Sequence, residues 1–417
     1  MNTKTLFSTD DPDFVAFQYG APGKEVMPTA VMTAASTAFW SAIETNYTYL
    51  QYGPALGDID FLTSLQSFLK THYNDASVHT DSLALTSGAS QSFSNILTLF
   101  TTESTKVIIE NPTYFLALNV LEDHGFKKDA FLNVPTDEDG LDVGYLEKLL
   151  ERESVGMTKA EGRKYSFLMY LVPTYSNPTG RSTSEARRER IVALARKYDV
   201  LVVCDDVYQL LPLTETQPPR RLVYFDGEGR GKNGYGNVIS NNSFSKLLAP
   251  GLRLGWIEAA PGLISYLGTS GIMNSGGSPN HVTSGLVLSA MQLGGLDSHL
   301  SMLKEVYSER MNAMCDYLEQ NLPNLVKFQR PKGGFFIWVC LPEGHDAFEI
   351  QRAAQSGGSV LYRGKRLPSV KMSYAPGRLF SAIPGSENCL RLTFAFYEKE
   401  KLVEGCERLC VLLKQVL

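Results

Sequence analysis

Apolar runs that stop at polar residues and then lead into helical patterns constrain this chain more than any other feature. Leu83-Ala84-Leu85-Thr86 runs into Ser87-Gly88 and a helical stretch from Ala89 to Phe100. Lys106-Val107-Ile108-Ile109 ends at Glu110-Asn111-Pro112, and Phe167 to Val172 ends at Pro173. The turn Asn177-Pro178-Thr179-Gly180 precedes a charged helix from about Ser184 to Tyr198. Val200-Leu201-Val202-Val203-Cys204 ends at Asp205-Asp206, and Asn237-Val238-Ile239-Ser240 leads into a serine-lysine segment. Continuous apolar strands need cover on both faces, which a sheet between two helix layers provides. The alternation therefore predicts an α/β domain with a mostly parallel sheet. Ligands of such sheets bind beyond the carboxyl ends of the strands.

Past about Leu288 the texture changes. Ser301 to Asn321 reads as an amphipathic helix, Lys332 to Trp338 and Cys389 to Phe394 as strands, and Glu398 to Leu417 as a last helix. The expected division is a large domain over 41–290 and a smaller α+β domain over 291–417, which the segment 1–40 joins. A net charge of -5 argues against a nucleic-acid or membrane-surface partner. No apolar run approaches the ~18–20 residues of a membrane span, and Met1 to Asp11 lacks a signal-peptide core, so a cytoplasmic location is expected. The six cysteines form no C-x-x-C pair and the six histidines no H-x-x-x-H pair, so no metal site is expected; Cys406 and Cys410, four apart, read as buried thiols. The glycine-rich stretch Gly227 to Gly234 follows no strand-to-helix turn and reads as a surface loop.

The chemistry gathers at the predicted strand ends. Lys246 lies between Ser243 and Ser245 on one side and Arg253 on the other. An amine condenses with an aldehyde, while hydroxyls and a guanidinium hold a phosphate. One small molecule that carries both groups is pyridoxal 5'-phosphate. Asp205 and Tyr208 follow a buried strand, where a carboxylate can keep a pyridine nitrogen protonated. Ser87-Gly88-Ala89-Ser90-Gln91 opens a helix directly after a strand and offers free N–H groups to a phosphate. Arg391, in Leu390-Arg391-Leu392, is a charge in an apolar strand and requires a partner.

In combination these segments resemble the class I/II aminotransferases of fold type I, from Gly20 to Arg391. Ser243-Phe244-Ser245-Lys246-Leu247-Leu248-Ala249-Pro250-Gly251-Leu252-Arg253-Leu254-Gly255-Trp256 and Gly333-Gly334-Phe335-Phe336-Ile337-Trp338 are most similar to the 2-aminoadipate and kynurenine aminotransferase-like branch. The resemblance implies a mostly parallel seven-stranded sheet in the large domain. It also implies a Schiff base of the cofactor on Lys246, with Asp205 at the pyridine nitrogen and Tyr208 and Asn177 at the phenolic oxygen. Tyr114 would stack on the ring. Ser87, Gly88, Ala89, Ser90, Ser243, Ser245 and Arg253 would hold the phosphate, helped by Tyr52 from the second subunit of a homodimer. Arg391 would grip the substrate carboxylate, Asn177 would share the substrate side, and Gly20 would close over it. The chain departs from the family pattern in two places: Ser176 stands where glutamine is frequent, and Ala89 where a hydroxyl is frequent.

The activity implied is ping-pong transfer of an amino group between an L-amino acid and a 2-oxo acid. The same lysine, aspartate and arginine would equally serve β- or γ-elimination, replacement or cyclisation. A transcriptional regulator with an aminotransferase-like domain would need an added DNA-binding segment, and only sixteen residues precede Phe17. The side chain of the donor stays open, since Lys24 is the only basic residue soon after Gly20.

Overall fold

The computed structural model describes residues 11–102, 104–156, 164–227, 235–356 and 358–417. The extreme N-terminus and most of the glycine-rich stretch, 228–234, lie outside them. In chain order the strands are β1 (Val15–Ala16), β2 (Leu83–Thr86), β3 (Lys106–Asn111), β4 (Leu132–Asp137), β5 (Gly140–Leu141), β6 (Phe167–Leu171) and β7 (Val200–Asp205). They continue with β8 (Val238–Ser243), β9 (Gly255–Ala259), β10 (Phe336–Cys340), β11 (Met372–Ser373), β12 (Ala375–Pro376) and β13 (Cys389–Thr393).

The large sheet has the order β2-β9-β8-β7-β6-β3-β4-β5. Strands β4, β3, β6, β7 and β8 pair in parallel, and β9 runs against both β8 and β2. Seven strands thus make the expected mostly parallel sheet. The two-residue β5 extends it to eight through an antiparallel ribbon with β4, and strand patterning gives so short an element no signal.

Alternate residues of the apolar runs enter two cores, which is why the runs are unbroken. Val107, Ile109, Leu168, Tyr170, Leu201, Val203 and Ile239 face one core. Ile108, Phe167, Met169, Val200, Val202 and Cys204 face the other, against Leu146, Leu150, Ile191 and Val192 of two helices. The helices Val143–Ser154 and Glu185–Tyr198 cover that second face.

The C-terminal part holds a three-stranded antiparallel sheet, β10-β13-β12. It adjoins the long helix Gly295–Asn321 and the last helix Lys399–Val416. The N-terminal β1 pairs with β11, and Phe17 reaches the same part through the bond of the Thr393 amide to its carbonyl. The run from Lys332 is not strand throughout. Gly333 and Gly334 bend around Tyr175, with φ +75° at Gly334, and the strand begins only at Phe336. Among the described residues no single helix is long and apolar enough to cross a membrane. Nor do three His, Cys, Asp or Glu side chains among them gather as a metal site.

Candidate active site

The carboxyl ends of the parallel strands build one cleft. β7 delivers Asp205 as its last residue, β8 delivers Ser243, and the turn after β8 carries Lys246. Because β9 is antiparallel, Arg253 arrives at the same edge just before that strand begins. The bond of the Leu248 amide to the Phe244 carbonyl closes the lysine turn, and Phe244 is fully buried in the core beside Trp256. Lys246 is therefore held by a packed anchor two residues before it. Its Nζ donates to the Gly20 carbonyl at 2.8 Å and lies 5.4 Å from the centre of the Phe335 ring. Loss of water around the amine lowers its pKa to about 8, against the pull of the Asp205 carboxylate.

Asp205 and Asp206 part to opposite sides of the sheet. Asp205 turns to the face of Tyr170, whose hydroxyl donates to Asp205 Oδ2 at 2.8 Å. Asp206 turns to the other face and accepts from the Ser240 hydroxyl. Burial raises the Asp205 carboxyl to about 6, with Asp206 adding repulsion while the Tyr170 bond and Lys246 oppose the rise. Asp205 Oδ1 is buried without a partner among the described residues. An orphaned carboxylate oxygen opposite a lysine amine is an arrangement built for something else to bind between them.

Tyr208 is buried against Phe335 and Phe336, at ring separations of 5.4 and 5.8 Å. Tyr114 stands half-buried at the start of the helix Phe115–Asp123, and burial, with Asp205 nearby, pushes its hydroxyl up to about 12. Asn177 accepts from Arg391 Nη1 at 2.7 Å, and the Gln18 carbonyl accepts from Nη2 at 2.8 Å. Arg391 Nε, also buried, has no partner among the described residues. Desolvation lowers this guanidinium to about 10, and the rings of Phe336 and Phe380 lie 4.1 and 5.0 Å from it. The fork thus rests on neutral acceptors and, among the described residues, has no carboxylate to neutralise it, an expensive state for a buried cation.

The other end of the cleft is polar and better satisfied. The Ser243 hydroxyl donates to the Ser245 oxygen at 2.8 Å, and Arg253 Nη1 donates to the same oxygen at 3.3 Å. Gly88, with φ +87°, precedes the helix Ala89–Phe100, whose first amides have no side-chain cap. A Cβ on Gly88 would come within 3.0 Å of the Arg253 guanidinium. Ser87 offers its carbonyl to Arg253 Nη2 at 3.4 Å. The Asn241 amide holds the Ala89 carbonyl at 2.9 Å, and the Ser90 side chain is exposed in the first helical turn. Helix amides without a side-chain cap, two hydroxyls and a guanidinium converge here, a set of donors that suits an anion.

Gly20 lies over the cleft, where a Cβ would sit 3.0 Å from the Phe336 ring. Tyr52 is not gathered in. It is 79% exposed and lines a hollow of about 630 Å³ with Asn280 and His281. That hollow adjoins the cleft, since Asn280 donates to the Arg253 carbonyl.

Sequence reasoning passed over four residues. Tyr170 and Glu110 end up beside Asp205; burial pushes the Glu110 carboxyl up to about 8, and its Oε1 accepts from the Val172 amide at 2.6 Å. Arg188 is fully buried and donates at 2.7 Å to the carbonyls of Pro173 and Thr183, which pins the loop that presents Asn177. Gln18 supplies the carbonyl under Arg391. A tyrosine within an apolar strand, and an arginine facing a core from a helix, were signals available for two of them.

The profile of the family described as Aminotransferase class I and II matches residues 14–409. The aromatic-amino-acid aminotransferase 1 of Thermococcus litoralis is 30% identical over 97% of this chain and 88% of its own. The 2-aminoadipate transaminase of Thermus thermophilus is 30% identical over 98% and 92%. The crystal structure of the Pyrococcus horikoshii kynurenine aminotransferase, in complex with PMP, superposes with a TM-score of 0.82 at 28% identity, covering 97% of this chain and 92% of that one.

Proposed function

The chain belongs to the class I and II aminotransferases, and on that premise we propose that it moves an amino group between an L-amino acid and a 2-oxo acid by a ping-pong cycle centred on Lys246. The observation that carries this is the half-buried Lys246 amine, lowered to about 8, lying between an orphaned carboxylate and an anion cradle. Both features fit pyridoxal 5'-phosphate. Asp205 Oδ1 lacks a partner that a protonated pyridine nitrogen would supply, and the space beside Gly88 suits a phosphate that a Cβ would obstruct.

In this reading Gly88, Ala89 and Ser90 amides, with Ser87, Ser243, Ser245 and Arg253, hold the phosphate. Asp205 takes the pyridine nitrogen, Tyr208 and Asn177 the phenolic oxygen, and Tyr114 the ring face. The exposure of Tyr52 next to the cradle supports a homodimer in which each copy lends this hydroxyl to the other. When bound, the cofactor supplies an electron sink for the pair left behind as the substrate's α-carbon loses its proton. Lys246 is the covalent anchor and, once displaced, the base that carries that proton; a pKa lowered to about 8 raises its neutral fraction at physiological pH far above that of an exposed lysine. Arg391 exchanges the Asn177 and Gln18 oxygens for the substrate carboxylate, a stronger and bidentate acceptor. Asp205, negative above about 6, keeps the ring nitrogen protonated.

The reading includes a large domain over 41–290, a small one over 291–417 joined by 1–40, and a cytoplasmic location. The free state of all six cysteines fits a reducing compartment. Rings of Phe336 and Phe380 flank Arg391, Phe115 and Trp338 pack on Phe380 behind them, and this apolar wall favours a donor with a large apolar side chain. A panel of amino donors, each offered with 2-oxoglutarate and with pyruvate, tests the activity. Amino transfer to the acceptor is the expected outcome; ammonia release without need of an acceptor would assign an elimination instead.

A further inference from the structure

Cys340 closes β10 and Cys389 opens β13, and the two are direct partners in the antiparallel register. Their Sγ atoms lie 2.7 Å apart although both thiols are free. The Cys340 backbone pairs on its other side with Lys327, while the Leu341 amide donates to the Asn388 carbonyl at 2.8 Å, so the cysteines occupy a non-hydrogen-bonded rung. The Cα separation of such a rung, about 4.5 Å, falls within the ~4.4–6.8 Å that a disulfide spans. Cys340 is partly exposed, and Cys389 is 7% exposed behind it. The next rung along the same face pairs Trp338 with Arg391, roughly 7 Å away along the strands.

We propose that Cys340 and Cys389 form a reversible dithiol–disulfide site that reads peroxide and alters how strand β13 presents Arg391. The Cys340 sulfur, as thiolate, attacks one peroxide oxygen; the O–O bond breaks and the second oxygen leaves as hydroxide, taking a proton to become water. The Cys389 sulfur then attacks the resulting sulfenic sulfur, the S–O bond breaks, and a second water leaves with the Cys389 proton. Two electrons pass from the sulfurs to the peroxide, and a dithiol reductant returns them by exchange. Cys340 suits the first role by its exposure, and the Cys389 thiol beside it, with Arg181 and Lys327, holds its pKa below that of an ordinary thiol. Burial and the same contact push Cys389 up, which suits a resolving partner. Cys204, Cys315, Cys406 and Cys410 are buried, and none of them has so close a sulfur neighbour among the described contacts.

The chemical part stands apart from the aminotransferase reading, whereas its effect on Arg391 rests on that reading. The holoenzyme is treated with hydrogen peroxide, its remaining thiols are alkylated under denaturing conditions, and its peptides are mapped. The expected product is one linked peptide pair, Cys340 with Cys389, lost on adding dithiothreitol and absent from Cys340→Ser and from Cys389→Ser. In Cys389→Ser, Cys340 should instead be trapped by dimedone as sulfenic acid. Over-oxidised Cys340 without the link, or thiols that stay reduced, would overturn the site. In the oxidised protein the KM of the amino donor should rise several-fold with kcat changing less, because the bond stiffens the strand that must release Arg391 from Asn177. The same kinetics before and after full cross-linking would overturn the coupling alone.

Discussion

The two ends of the cleft are built on opposite plans. At the cradle end, Ser243, Ser245, Arg253 and the Gly88 turn hydrogen-bond one another, and Ser245 and Arg253 reach solvent. At the chemical end, Asp205, Lys246 and Arg391 all have shifted pKa values, and Asp205 Oδ1 and Arg391 Nε are buried without partners among the described residues. The first plan holds a ligand at little cost to the empty protein. The second keeps charged groups under-satisfied so that substrate and cofactor complete them, and that is where rate should depend most on single atoms.

The comparison sharpens if the two ends fail in different ways. Lys246→Ala should lose turnover by several orders of magnitude, since anchor and base go together, yet should still bind the cofactor through the intact cradle; steady-state rates beside equilibrium dialysis will separate the two. Asp205→Asn and Asp205→Ala should each lower kcat by about a hundredfold or more with the fold kept, as read by circular dichroism. Wild-type rates in both would break the division between the ends. Arg391→Lys should raise the donor KM roughly ten- to a hundredfold, because one point charge replaces a bidentate fork.

Milder effects belong to the cradle. Ser245→Ala should weaken cofactor binding by about tenfold, leaving kcat close to normal once the cofactor saturates. The smallest effect expected is one of pH. In the apoprotein the charged form of Lys246 is the disfavoured one, so the reactive neutral amine grows as pH rises. Covalent capture of pyridoxal phosphate should therefore accelerate with pH and level off above about 8, where an exposed lysine would still be climbing.

The cradle was also the more legible end, for the same physical reason. Its parts are local: a strand, a Gly88 turn and a helix start within a few residues, and Ser243 to Arg253 is one continuous segment. The buried parallel sheet was equally open to reading, because runs without alternation have few other uses. At the chemical end the partners come from far apart. Tyr170 meets Asp205 across 35 residues, and Arg391 meets Asn177 across 214. No spacing rule reports such pairs. The short β5 and the bend at Gly333-Gly334 likewise depend on packing that only the folded chain supplies.

The central claim is that one lysine, Lys246, carries the chemistry. Borohydride reduction of the yellow holoprotein, followed by proteolysis and peptide mapping, tests it most directly. The account predicts a single stable pyridoxyl adduct on Lys246, absent from Lys246→Ala treated in the same way. An adduct on any other lysine of the wild-type chain would contradict it.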